Sequence, residues 1–266
     1  MSGLETSLSY LIAKNAKKKE QIFNSSILRY SVRSMNASLF LTLGTAISIA
    51  AAQKAVGIHP DLPKFLFGFL FSWSLVMIVF MNGELATSNM MYMVAAAHRK
   101  DLSLKKSMTI MFYCTLFNLI GAIVFTFLLS KTGTFANIDQ HHYLMQAVQG
   151  KLDKSSLVIF VEGIFANIVV NIAVVGGLRL KDDTAKIIFT LGVIFIFAFL
   201  GYEHVIANFI TFSLAFFTNP GALTGFTLAN VLRQWFFAFL GNFVGGGLII
   251  GAIYSWLNQT DTEYID

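Results

Sequence analysis

The sequence predicts an all-α membrane protein: six transmembrane helices in an inverted-repeat arrangement, with the second and fifth helices broken. Three observations predict it. Of the 266 residues, 56% are hydrophobic and only 12% charged, against roughly 25% charged in a soluble domain. The apolar residues gather in six long runs, and two of those runs carry matching polar interruptions. A chain this apolar cannot bury all its hydrocarbon in one core, so lipid must act as part of its solvent.

The runs lie at about 36–57, 65–97, 107–130, 155–178, 186–217 and 230–257. Each exceeds the roughly 20 residues that carry a helix across about 30 Å of hydrocarbon, and none shows the alternation of a barrel strand. The joints hold turn chemistry: His59-Pro60-Asp61-Leu62-Pro63, Arg99-Lys100-Asp101, Arg179 to Asp183, and Asn219-Pro220-Gly221. The chain divides into a cytoplasmic N-terminal segment 1–35, a transmembrane domain 36–257 with repeats at about 36–130 and 155–257, and a cytoplasmic tail 258–266. The basic, polar first 35 residues lack the apolar stretch of a cleavable signal peptide.

The net charge of +5 does not call for nucleic acid, because the basic residues sit in the joints. With a cytoplasmic N-terminus, 13 of the 19 Lys and Arg fall on that side and 6 on the other. The positive-inside rule then sets both termini in the cytoplasm of a cell membrane, inner or plasma. Cys114 is the only cysteine, which excludes disulfide frameworks and Cys-pair metal sites. The His141-His142 pair lies in a polar loop without ligand partners, and no catalytic triad or phosphate loop is visible. No cofactor, metal or enzymatic activity is expected.

The two longest runs are interrupted by Asn82-Gly83-Glu84-Leu85-Ala86-Thr87-Ser88-Asn89 and by Gly201-Tyr202-Glu203-His204-Val205-Ile206-Ala207-Asn208. Both have the same spacing from Glu to Asn. The third and sixth runs match as Asn118-Leu119-Ile120-Gly121 and Asn242-Phe243-Val244-Gly245. Three spans followed by three, with corresponding polar breaks, read as an inverted repeat with a site at the repeat interface near mid-membrane.

Ionisable groups inside spans are costly, by about 3 kcal/mol or more at a helix centre, so they pair or line a cavity. They are Glu84, Glu162, Glu203 and His204. Glu84 and Glu203 have a structural reading, in which each carboxylate accepts backbone N–H bonds from its unwound segment. Glu162 has a reading as a water-facing interfacial residue. His204 is the one group able to exchange a proton near neutral pH, neutral at rest in a dry setting. Its alternative is a buried histidine satisfied by a carbonyl. Thr87, in the equivalent turn of the other repeat, offers a hydroxyl donor, or else bonds back to its own chain.

At these residues the sequence resembles the formate/nitrite transporter family. The resemblance rests on Gly83 to Asn89, on Gly163-Ile164-Phe165-Ala166-Asn167, on Gly201 to Asn208, and on Leu240-Gly241-Asn242-Phe243-Val244-Gly245-Gly246. It covers nearly the whole chain. It implies an aquaporin-like protomer assembled as a homopentamer, with one pore in each protomer. By position, His204 is the central pore histidine and Thr87 its partner. Asn167 and Asn208 are polar neighbours, Glu203 the buried acid and Lys151 the vestibule lysine. Phe71, Leu75, Val170 and Phe197 fall at the apolar constrictions, and Glu84 and Asn89 at the first helix break. Ala86 departs from the aromatic common in the family, which suggests a looser gate.

The resemblance implies a channel or transporter for small monovalent anions such as formate or nitrite, or their conjugate acids, linked to protons through the histidine. Hydrosulfide, lactate or acetate are alternatives within the family. A neutral-solute channel is the alternative from another class. A membrane enzyme using Glu203 and His204 lacks a nucleophile, and a purely structural protein leaves both polar breaks unexplained.

Overall fold

The computed structural model describes residues 7–258, all helix and connecting loop, with no strand among them. The last residues of the expected tail lie outside this range. Helix α1 (Leu8–Ser25) precedes α2 (Ile27–Ala55), which begins well before residue 36, where the apolar run starts. The second span is α3 (Leu62–Phe71) and α4 (Trp73–Phe80), and α5 (Ala86–His98) follows after a break. Helix α6 (Leu104–Ser130) closes the first repeat. A short helix α7 (Tyr143–Leu152) occupies the connecting loop. The second repeat is α8 (Ser156–Arg179), α9 (Asp183–Leu200), α10 (Val205–Thr218) and α11 (Leu228–Asn242). It continues through a π-helical stretch (Phe243–Ile253) into α12 (Tyr254–Leu257).

Among the described residues, six helices are long and apolar enough to cross a membrane: Ile27–Ala55, Leu62–Phe80, Leu104–Ser130, Ser156–Arg179, Asp183–Leu200 and Leu228–Leu257. Their outward faces carry large apolar side chains such as Leu43, Phe112, Leu157, Ile188 and Phe236. This is what a lipid-facing surface requires. Helix α2 packs on α6 and α3, as α8 packs on α11 and α9. The short helices cross over: α5 packs on the π-helical stretch of the second repeat and α10 on α6 of the first. His98 Nδ1 meets Ser255 Oγ at 3.0 Å and Arg99 reaches Ser9, so both described ends lie on one face. We term it the near face; α7 lies at the far face.

The chain leaves helix between Phe80 and Ala86 and again between Leu200 and Val205. In hydrocarbon an unpaired backbone group costs several kcal/mol, so each break needs internal partners. Asn118 of α6 accepts from the Ala86 N–H at 2.8 Å and donates to the carbonyls of Glu84 (2.9 Å) and Ser34 (2.6 Å). Asn242 of α11 does the same for the second break. It accepts from the Val205 N–H and donates to the carbonyls of Glu203 and Gly163, all at 2.8 Å. The duplicated Asn-x-x-Gly motif is therefore one clamp built twice. Its glycines set the approach: a Cβ on Gly121 would lie 2.8 Å from the Met35 backbone, and one on Gly245 2.1 Å from the Ile164 carbonyl oxygen. At the second break Gly201 ends α9 in the left-handed conformation (φ 76°) that glycine adopts at no steric cost.

His142 belongs to neither break. It caps α7, its Nδ1 accepting the Leu144 N–H at 3.2 Å. Burial pushes its imidazole below the usual 6.5, opposed by the Asp139 carboxylate.

Two outcomes are expected. Asn118→Ala strands two carbonyls and one N–H in a dry interior and lowers stability by about 3 kcal/mol, read as an earlier melting transition in detergent. The His142 cap needs the neutral ring, so its contribution is complete above the ordinary imidazole pKa of 6.5 and fades as pH falls through the lowered folded value. His142→Asn, whose amide caps at any pH, should lose less melting temperature between neutral and acidic buffer than the parent does.

Candidate functional site

His204 is the N-cap of α10. Its Nδ1 accepts the Ala207 N–H at 3.1 Å, a task usually done by Ser, Thr, Asp or Asn. That bond selects the tautomer: with Nδ1 an acceptor, a neutral ring carries its proton on Nε2. Nε2 lies 2.8 Å from Thr87 Oγ1, so the ring donates to the hydroxyl, and the hydroxyl proton can turn to another acceptor. Both side chains are buried, His204 at 2% exposure and Thr87 at 0%. Thr87 is the second residue of α5. The pair joins the first turns of two helices whose N-termini converge inside the protein. The exact counterpart of His204 in the first repeat is Leu85, the N-cap of α5, which offers no side-chain bond.

Among the expected constriction residues, Phe197 stands against this pair. Phe197 packs 5.9 Å from the His204 ring and meets Phe71 edge-on at 5.9 Å. Leu75 and Val170 are buried at 4% and 2%. Phe71 and Phe197 also line a far-face cavity of about 520 Å³, and Leu75 lines a near-face cavity of about 140 Å³. His204 and Thr87 thus sit between a near-face cavity lined by Leu75, Glu84 and Ser88 among others and a far-face cavity lined by Phe71, Phe197 and Asn208 among others. Ala86 is fully buried, its N–H held by Asn118.

Asn167 sits one step away from the histidine. Its amide donates to the Thr87 carbonyl (3.1 Å) and the Asn242 carbonyl (2.7 Å), and Asn171 bonds back to Asn167. It holds the α5 turn in position and makes no hydrogen bond to the ring. Asn208 donates to Glu203 Oε2 at 2.7 Å, and Asn89 to Glu84 Oε2 at 3.3 Å. This is the shared Glu-to-Asn spacing seen in three dimensions.

The two glutamates do not accept the backbone N–H bonds that the structural reading assigned to them, because the asparagine clamps already serve the breaks. Each carboxylate instead meets a lysine. Glu84 Oε2 is 2.8 Å from Lys19 of α1. Glu203, fully buried, is 2.9 Å from Lys151 and 2.7 Å from Lys154, with a further bond from Gln234. Lys154 also reaches the Gly201 carbonyl (2.9 Å) and pairs with Glu162, so Glu162 is engaged rather than merely wetted. Burial disfavours the Lys154 ammonium, but the Glu203 and Glu162 carboxylates outweigh that and hold its pKa above the usual lysine value. Sequence reasoning missed Lys19, Lys154 and Gln234 because nothing in their spacing links them to a distant glutamate. Asn118 and Asn242 did carry a signal, their duplication.

The chain matches the sequence pattern of the formate/nitrite transporter family over residues 8–256. It is 31% identical over 261 residues to the uncharacterized transporter YwcJ of Bacillus subtilis (strain 168), covering 96% of this chain and 99% of that one. Among solved structures, a family ion channel superposes with a TM-score of 0.86 at 23% identity, over 94% of this chain and 98% of that chain. A pentameric formate channel with formate bound superposes with a TM-score of 0.75 at 26% identity, over 86% and 96%. With nearly its whole length accounted for, this multi-pass membrane protein belongs to the formate/nitrite transporter family of channels and transporters.

Proposed function

We propose that the protein passes small monovalent anions, formate or nitrite foremost, through a pore in each protomer of a homopentamer in the cell membrane, together with a proton exchanged at His204. The observation that carries this reading is the His204–Thr87 pair, buried between two cavities at the meeting point of two helix N-termini. The similarity to a pentameric channel with formate bound supports both the substrate class and the assembly. The count of basic residues supports cytoplasmic termini.

The physical problem is selectivity for anions where no fixed positive charge is available. Each helix N-terminus presents about half a positive charge, and α5 and α10 direct theirs inward together. An anion leaving the far-face cavity sheds water, and dehydration raises its own pKa. The Thr87 hydroxyl, itself accepting from His204, donates to it. Of His204, Thr87 and the four expected constriction residues, His204 alone is titratable, and its ring is neutral at rest: a proton delivered through water adds to Nδ1 and is passed on to the anion, so the ring ends neutral as it began. A charged ring would forfeit the Ala207 N–H bond, which returns it to the neutral form. The neutral acid then crosses Phe71, Leu75, Val170 and Phe197 at far lower cost than the anion.

In proteoliposomes, formate uptake should rise as external pH falls, and His204→Phe should reduce it at least ten-fold and flatten the pH profile; an unchanged profile removes the proton-exchange role. Lys151→Ala leaves Glu203 under-neutralised, and formate uptake should fall roughly ten-fold at low ionic strength, with little change in water permeability. A neutral-solute channel would show no pH dependence in the first experiment and no loss in the second. Comparing formate, nitrite, lactate and hydrosulfide at two pH values ranks the substrates.

A further inference from the structure

The far-face cavity is lined by three lysines, Lys64, Lys151 and Lys154, and one carboxylate, Glu162. Lys151 and Lys154 are both spent on Glu203, and Lys154 also on Glu162. Two cations thus face two anions, and that group cancels. Lys64 remains. It is exposed, makes no ion pair among the described residues, and rests its ammonium 5.5 Å from the Phe199 ring, a contact that leaves the charge intact.

Lys64 also lines a second space, an alcove of about 370 Å³ between the α2–α3 turn and α7, edged by Gly57, His59 and Pro63. The alcove and the main cavity share Lys64, Tyr143 and Gln146. No carboxylate lines the alcove. The neighbouring Asp61 is turned to solvent, its side chain 88% exposed and facing His59.

Resting on the anion-transport reading above, we infer that Lys64 is the anion-docking residue of the far mouth, and that the alcove beside α7 is where the anion first loses freedom before reaching the Glu203 lysines. Lys151 sets the potential deeper in by neutralising Glu203. Lys64 supplies the net charge that draws the anion in. Its effect is long-range, acts on capture, and is screened by salt, with a Debye length of about 30 Å at 0.01 M and about 3 Å at 1 M.

The test is the initial rate of labelled formate uptake into proteoliposomes for the parent, Lys64→Glu, Lys64→Gln and Lys64→Arg, at ionic strengths of about 0.01 M and about 1 M. Lys64→Glu should lower uptake roughly ten-fold at subsaturating formate and low salt, with Lys64→Gln between it and the parent and Lys64→Arg equal to the parent. The differences should close at high salt, and the rate at saturating formate should be unchanged. A loss of equal size at both ionic strengths, or none, overturns the docking role. If the parent itself carries no formate, nitrite or other small anion, the transport reading fails and this inference with it.

Discussion

Everything at the centre of this protein depends on two asparagines. A membrane interior offers no water to an interrupted helix, so each break must find donors and acceptors within the protein. Asn118 and Asn242 supply them identically, each with its carbonyl on the first N–H of the restarted helix and its amide on the carbonyl of the preceding glutamate. Gly121 and Gly245, three residues on, let the clamping helices approach closely enough. Because the breaks are held this way, α5 and α10 can start inside the protein.

That arrangement replaces fixed charge with backbone dipoles. Two helix N-termini provide a positive potential at the His204–Thr87 pair. The formal charges of these side chains cancel in pairs: Glu84 against Lys19, and Glu203 with Glu162 against Lys151 and Lys154. The histidine follows the same economy. Capping α10 with Nδ1 orients the ring, fixes its tautomer and leaves Nε2–H for Thr87.

The two halves share a plan and differ in detail. The first repeat has Leu85 where the second has His204, so only one of the two breaks carries a titratable cap. The mouths differ too. On the near face α1 brings Lys19 onto Glu84 and Tyr92, beside a cavity of about 140 Å³. On the far face α7 and the loop after it bring two lysines onto Glu203, beside about 520 Å³. A symmetric scaffold thus carries asymmetric chemistry.

Much of this was legible beforehand. Hydrocarbon has a fixed thickness, so run length alone revealed six spans, and a polar group in lipid is expensive enough that the duplicated Glu-to-Asn spacing stood out. His204 stood out as a candidate by the same cost, and Thr87 by its place in the equivalent turn of the other repeat. The start of α2 at Ile27 was not legible, because its first turns carry Arg29 and Arg33 beyond the apolar run. The role given to Glu84 and Glu203 changed for a related reason: spacing shows that a carboxylate must be satisfied but not by whom. The sequence by itself determined span number, repeat and polar centre, since these depend on local hydropathy and period. Only the tertiary structure decided the histidine's contact with Thr87, the asparagine clamps and the lysine partners of Glu84 and Glu203, because each depends on atoms brought within 3 Å from residues tens of positions apart.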